Sequence, residues 1–346
     1  MRCYFTDEDK LTRVRGSEIR AALVHAHHQV RRGKAGQPAP PDTDVWFHGL
    51  GVHGAPPLQG ALLQALLATR AELVLFQLCD YPTMSFERIP EELLRRTRLF
   101  LRNHWPADAH SIPEAVRERL GFLPPMLRAM APSKGRALVA RSGGAIFFGT
   151  RTGFANLAGG LNAREETVRR MRGSGLPFVG GISPHVEARY ATSPELLVPR
   201  MKESQHTKLL ADSKLCLAPW GNHPLTYRFF EGMALRCLVV AQSLTTDRFL
   251  DGGLVPGRHY VEVAPDLGDL EEVAAYYLSH LTEAQDIADA GHAHFCQFLA
   301  SRGPLISPFL FDATVASWGD LYRPVAEPSP SSSLRSLVAR LFPTRF

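Results

Sequence analysis

Arg228 and Glu231 stand three residues apart in TYRFFEGMA, a stretch with the apolar spacing of a helix, so they share one helical face. A guanidinium can grip a diphosphate through paired hydrogen bonds, and a carboxylate one turn on can accept from ribose or sugar hydroxyls. Read alone, the pair is better taken as an i,i+3 ion pair on a wet surface, contributing about 0.2–0.5 kcal/mol. The residues before it change the picture. Lys214–Ala218 is an apolar run of strand length, Pro219, Gly221, Asn222 and Pro224 make a tight polar loop, Leu225–Leu235 has helical spacing, and Cys237–Ala241 is the next strand. That order puts the loop at the carboxyl end of a buried strand, where open α/β sheets bind their ligands. The helix start offers free backbone N–H groups and a positive dipole end, a seat for an anion. Gly232, beside Glu231, leaves room for a ligand or another backbone to come close.

The elements that must hold these residues are legible as an alternation. Short apolar runs occur at Val45–Phe47, Leu73–Leu78, Leu99–Leu101 and Ala145–Phe148, besides the two already named. Longer amphipathic stretches fall at Ser17–Arg32, Pro57–Arg70, Asn162–Arg172, Pro224–Leu235 and Leu267–Leu281. Runs apolar throughout suit strands covered on both faces, and the alternation predicts parallel sheets with helical crossovers. At 346 residues, with 45% hydrophobic and 21% charged residues, the chain fits two ordinary domains with substantial cores. Pro124–Gly144, rich in proline, glycine and basic residues, separates the halves. It predicts a first domain over 1–140, a second over 141–323 and a disordered tail over 324–346. The second half reads to about Gly303, with a separate return helix at Phe309–Tyr322 after Pro308. The tail opens Pro- and Ser-rich and closes on the short basic amphipathic Leu334–Phe342. Its plain reading is an unstructured terminus, and weak membrane-surface contact is the alternative.

The segment from His206 to Val240 resembles the C-terminal motif of exostosin-type glycosyltransferases. The matching residues are Ser213-Lys214-Leu215-Cys216-Leu217, then Pro219-Trp220-Gly221, then Thr226-Tyr227-Arg228-Phe229-Phe230-Glu231, and Cys237-Leu238-Val239-Val240, which departs by Leu-Val where Ile-Pro is common. The region is also similar to the bacterial spore-protein glycosyltransferase-like group, with Ile287–His292 resembling a later helix of that group. Together these cover about a third of the chain, all in the second half. The resemblance implies a GT-B fold, two Rossmann-like parallel-sheet domains facing a cleft. It implies transfer of a sugar from a nucleotide-diphosphate donor, UDP-sugar by preference, to a hydroxyl of a glycan or other acceptor. The donor is then a substrate, and no cofactor is implied. Arg228 and Glu231 carry over as donor contacts, Lys208 as a basic residue near the diphosphate, and Gly221, Asn222 and Thr226 as the loop around it.

Other readings remain open. Gly49-Leu50-Gly51-Val52-His53-Gly54 fits GxGxxG after the strand DVWF, the fingerprint of a dinucleotide site, so an NAD(P)-dependent oxidoreductase is the alternative enzyme. Pro56 and Pro57 interrupt the place where its helix should start. A non-catalytic nucleotide-sugar-binding protein would keep Arg228 and Glu231 and lack a base. Candidate bases at apparent strand ends of the first half are His48, His53, Asp80 and His104; an inverting transfer needs one and a retaining transfer needs none. Asp42-Thr43-Asp44 spells DxD but precedes its strand, so a metal-independent enzyme is expected. The formal charge of +5 is spread too thinly for a nucleic-acid binder. Five cysteines without a CxxC pair suit buried thiols in a reducing compartment, and the first residues carry no apolar leader, so the cytoplasm is the expected location.

Overall fold

The computed structural model describes residues 1–8, 16, 19–20, 23–24, 27–34, 36–51, 57–77, 86–102, 113–117, 119–122, 135–151, 157, 160–184, 192–221, 226–244 and 254–311. Contacts divide the described residues into a first unit, Met1–Met126 joined by residues 300–311, and a second, Leu127–Leu299.

The first unit is built on six parallel strands: β1 (Arg2–Asp7), β2 (Gln29–Arg32), β3 (Val45–Gly49), β4 (Glu72–Gln77), β5 (Leu99–Arg102) and β6 (Leu120–Phe122), in the spatial order β2-β1-β3-β4-β5-β6. Helices α1 (Gly60–Ala68), α2 (Glu91–Arg96) and α3 (Glu114–Arg117) cross between the later strands. The strands expected at Val45, Leu73 and Leu99 are there. The helix expected over Ser17–Arg32 is not continuous: Ile19, Arg20, Leu23 and Val24 are helical, the chain turns through His27 at φ 62°, and Gln29–Arg32 pairs with β1 as the edge strand. QVRR faces water on an edge, so its polarity reads as the continuation of a helix face.

The second unit carries β7 (Gly143–Thr150), β8 (Phe178–Ser183), β9 (Ser213–Ala218), β10 (Leu238–Gln242) and β11 (Val261–Val263), all parallel, in the order β11-β10-β9-β7-β8. Its helices are α4 (Ala163–Gly173), α5 (Glu203–Asp212), α6 (Tyr227–Ala234), α7 (Leu270–Ser279) and α8 (Leu281–Phe311). Alternate residues of the strands feed two cores. Ala145, Phe147, Leu215, Leu217, Leu238 and Val240 pack with Val168 and Met171 of α4 and Val273 and Ala274 of α7. Ile146, Cys216, Ala218, Val239 and Ala241 pack with Phe229, Phe230 and Met233 of α6 and Phe295 of α8. Both faces being covered explains why these strands read as unbroken apolar runs. Asn162 starts α4 by accepting from the backbone N–H of Arg164 and Glu165, and Glu165 and Glu166 suit its positive end.

Arg141, buried just ahead of β7, donates to the carbonyls of Arg136, Ser213, Leu235 and Arg236 and to Cys237 Sγ, and so ties the amino ends of β9 and β10 together. The break expected near Gly303 does not occur. The backbone of α8 runs unbroken from Leu281 to Phe311 through Pro304 and Pro308, each of which removes one ladder hydrogen bond without ending the helix. Of the expected return helix only Phe309–Phe311 lies among the described residues, and the tail lies outside them.

Candidate functional site

In the second sheet β8 lies to one side of β7, and β9, β10 and β11 follow on the other, so the strand order reverses between β7 and β9. Ligands of open α/β sheets sit at the carboxyl ends of the strands flanking such a reversal. There the end of β7 meets the loop after β9. Arg164 of α4 donates to the Thr150 carbonyl at 2.9 Å, and Gly221 packs so closely on the Arg164 guanidinium that any side chain at 221 would run into it. Trp220 is anchored twice, its backbone N–H on Gln242 Oε1 at 2.9 Å and its indole N–H on the Ser243 carbonyl at 3.0 Å. The fully buried Gln242 passes its own amide N–H to the Pro265 carbonyl, so the ends of β9, β10 and β11 are laced together. Asn222 lies outside the described residues. Thr226 is buried at the N-cap of α6, where its hydroxyl makes no capping bond among the described residues, and the first turn of α6 has no acidic side chain.

Arg228 and Glu231 both belong to α6, as their spacing predicts, but no ion pair joins them among the described residues. Arg228 lies with its guanidinium 5.3 Å from the centre of the Phe147 ring and bonds His206 Nε2 at 3.2 Å. A guanidinium can only donate, so the imidazole accepts and carries its proton on Nδ1. Glu231 Oε2 is buried and has no hydrogen-bond partner among the described residues. Burial and then the Arg228 charge push the His206 pKa below its ordinary value, against the opposite pull of Glu231 and Glu203. The site therefore holds one fixed cation, one neutral imidazole and one carboxylate oxygen with spare accepting capacity.

Gly232 has a different role from the one expected. A Cβ there would lie 2.8 Å from Val239 Cγ2 and 2.9 Å from Cys216 Cβ, so it brings α6 close to β9 and β10 and faces the core, away from any ligand. Lys208 is exposed on α5, two residues and so about 200° round the helix from His206. His206 was the residue to find: it stands four before the buried Leu210, on the face that packs inward.

In the first sheet the order reverses between β1 and β3, and His48 sits there, paired in register with Thr6. Trp46 Nε1 donates to Thr6 Oγ1 at 2.8 Å, and Thr6 Oγ1 lies 2.7 Å from His48 Nδ1. His48 Nε2 faces Glu8 Oε1 at 3.8 Å, and Glu8 Oε2 accepts from the Gly51 N–H at 2.5 Å and from Arg88 at 3.3 Å. Burial raises the Glu8 pKa, but His48, the Gly51 N–H and Arg88 together outweigh it and hold the carboxyl below its ordinary range. His48 has 0% exposure, and the group beside it that reaches the surface is Glu8, whose side chain is 14% exposed. Asp80, His53 and His104 lie outside the described residues. The glycine loop is occupied from within: the Gly51 N–H is taken by Glu8, and its carbonyl accepts from Gln77 and Arg88, both at 3.1 Å. Among the described residues the first helix after it, α1, begins at Gly60. Asp42 and Asp44 pair with Arg31 and Arg2 at the amino end of β3. No group of three or more His, Cys, Asp or Glu suited to a metal occurs among the described residues.

Residues 164–299, which include Arg228, Glu231 and His206, match the profile of a family described as glycosyl transferase-like. That stretch of the second unit is therefore similar to a glycosyltransferase domain. Solved structures agree on the two-domain GT-B fold. The HepE protein of Anabaena, crystallised with UDP, is 14% identical over 90% of this chain and 100% of its own, at a TM-score of 0.52. A glycosyltransferase of Rickettsia africae is 11% identical over 93% of this chain and 98% of its own, at 0.56. No curated protein matches in sequence. Neither comparison supports a nicotinamide-dependent enzyme.

Proposed function

We propose that this glycosyltransferase takes its sugar from a uridine-diphosphate donor seated on the second unit, at the head of α6, and passes it to a hydroxyl of a glycan or other acceptor. The observation that carries this is the buried, unpartnered Oε2 of Glu231, one turn from a guanidinium held in place by Phe147 and His206. A carboxylate with a free lone pair asks for a hydroxyl donor, which ribose and hexose supply. A fixed guanidinium beside an uncapped helix start asks for an anion. As the bond between the anomeric carbon and the diphosphate breaks, its electron pair leaves with the diphosphate. Arg228 and the α6 dipole stabilise that growing charge. The exostosin-like subtype rests on the run from Ser213 to Val240. The uridine nucleotide is supported by HepE, whose crystals also hold UDP with glucose and, at a TM-score of 0.50, UDP-glucose. The described cysteines are free, and no described helix is long and apolar enough to cross a membrane, which supports assignment to the cytoplasm. Calorimetry with UDP-glucose, other nucleotide sugars, NAD and NADP tests the reading. Heat with a nucleotide sugar is expected; binding of NAD or NADP and of no nucleotide sugar would overturn it.

A further inference from the structure

His206 is half-buried, opens the segment from His206 to Val240 without being one of its matched residues, and among the described residues makes one side-chain hydrogen bond, to the residue assigned to the diphosphate. Its Nε2 meets the Arg228 guanidinium at 3.2 Å, and its ring stands edge-on to Phe148 at 6.2 Å. Phe147, the neighbour of Phe148 on β7, supplies the ring under Arg228 at 5.3 Å. The guanidinium is therefore held by two contacts, an imidazole lone pair and an aromatic face. An arginine side chain otherwise loses much rotamer entropy when it engages an anion, and fixing it beforehand removes part of that cost. Gly149 contributes: a Cβ there would come 2.8 Å from Phe147 Cζ, so glycine leaves the ring in the place where Arg228 uses it.

We infer that His206 is a positioning residue for the donor site, which in its neutral form orients Arg228 toward the diphosphate and loses that hold when protonated. The inference rests on the donor reading above. An imidazolium has no lone pair on Nε2, so protonation turns the hydrogen bond into a clash of two cations. The other charged groups facing His206 are Glu231 of α6 and Glu203 of its own helix; both favour the imidazolium, and burial with Arg228 outweighs them. Phe148, from β7, brings no charge. His206 is thus mostly neutral at pH 7, and its half-protonation point lies below the ordinary imidazole value of about 6.5.

The consequence is a donor affinity that holds from pH 8 to 7 and falls on further acidification. UDP-glucose is the right probe, because its diphosphate is esterified at both ends and does not titrate between pH 5 and 8. Calorimetry across that range should show the fall in wild type. His206→Ala should bind about three- to tenfold more weakly at pH 7.5, less than the direct loss of a hydrogen bond to a charged group because His206 acts through Arg228, and its affinity should no longer fall on acidification. His206→Gln places an amide oxygen close to where Nε2 stands and does not titrate, so it should restore most of the affinity and keep the flat profile. A merely structural histidine would not give that combination.

Nitrogen-15 NMR of the imidazole in unliganded protein checks the pair without any donor. Wild type should show the Nδ1–H tautomer, and Arg228→Ala should raise the pH at which His206 titrates. Full affinity in His206→Ala, a pH-dependent His206→Gln, an Nε2–H tautomer, or a titration indifferent to Arg228 each overturns the inference. Wild type that binds no nucleotide sugar at any pH would instead defeat the donor reading, and this role with it. Donor binding that is lost in Arg228→Ala but ignores His206 would defeat the role alone.

Discussion

Glu231→Gln separates a donor contact from a scaffold residue because it should move affinity and stability in different directions. The substitution keeps the shape of the side chain and removes its charge. If Glu231 accepts from a ribose or sugar hydroxyl, a hydrogen bond to a charged group, worth about 1.5–3 kcal/mol, becomes a neutral one worth about 0.5–1.5 kcal/mol. The difference, about 1–1.5 kcal/mol, is a Kd roughly 5–13 times higher for UDP-glucose. Stability should not follow. Oε2 is buried without a hydrogen-bond partner and Glu231 makes no ion pair with Arg228 among the described residues, so the ligand-free fold has no bond there to lose. A neutral amide is also easier to keep out of water than an unpaired carboxylate oxygen. The melting temperature should therefore hold or rise. The assay is calorimetry with UDP-glucose beside a thermal melt of the free protein. An unchanged Kd, or a Kd and a melting temperature that worsen together, would show that Glu231 supports the fold and that its free oxygen is not the donor contact.

Two further outcomes follow from the packing around it. Gly232→Ala pushes a methyl into Val239 and Cys216 at distances real Cβ atoms do not tolerate, so it should destabilise the second unit by about 1–3 kcal/mol, seen as a lower melting temperature; a neutral result would show that α6 can shift off the sheet. Burial raises the thiol pKa of Cys216 well above its ordinary value and that of Cys237 to about 11, so at pH 8 both should resist a thiol reagent in the native protein, while all five cysteines react once it is denatured; two missing thiols would reveal a disulfide.

How far the sequence reaches can be judged strand by strand. β3, β4, β5, β7, β9 and β10 are legible because both faces are buried and the chain writes them as apolar runs. β1 escapes because its carboxyl end is Thr6-Asp7, polar residues buried at the switch point of the first sheet, and with it escapes Glu8 beside His48. β8 escapes for another reason: FVGGIS is an edge strand with Val179 half in water, and its glycines admit the Phe147 carbonyl and Val198. In the site, Arg228 and Glu231 are legible from helical spacing after a strand-end loop. Their partners are not. Phe147 reads as one more core residue, and His206 lies 22 positions before Arg228, so only the β7–β9 pairing and the α5 crossover bring them together.

The two sheets share one strand order over their first five strands, so topology alone cannot say which of them holds the nucleotide. Each has a reversal next to its first strand, and each gathers polar residues at the carboxyl ends there. What differs is how much of that polarity is already used. In the first unit the glycine loop that resembles a dinucleotide fingerprint spends the Gly51 N–H on Glu8 and the Gly51 carbonyl on Gln77 and Arg88, so among its described residues Gly51 has no N–H left for a pyrophosphate. In the second, among the described residues, the Thr226 hydroxyl leaves the start of α6 uncapped, Glu231 keeps an unpartnered oxygen, and Arg228 meets an imidazole and an aromatic ring, neither of which neutralises it. A sequence motif records where glycines fall. Which N–H groups stay open is decided by contacts such as Glu8 with Gly51, 43 residues apart, and that difference in spent hydrogen bonds among the described residues is why we propose the donor on YRFFEG and not on the glycine loop.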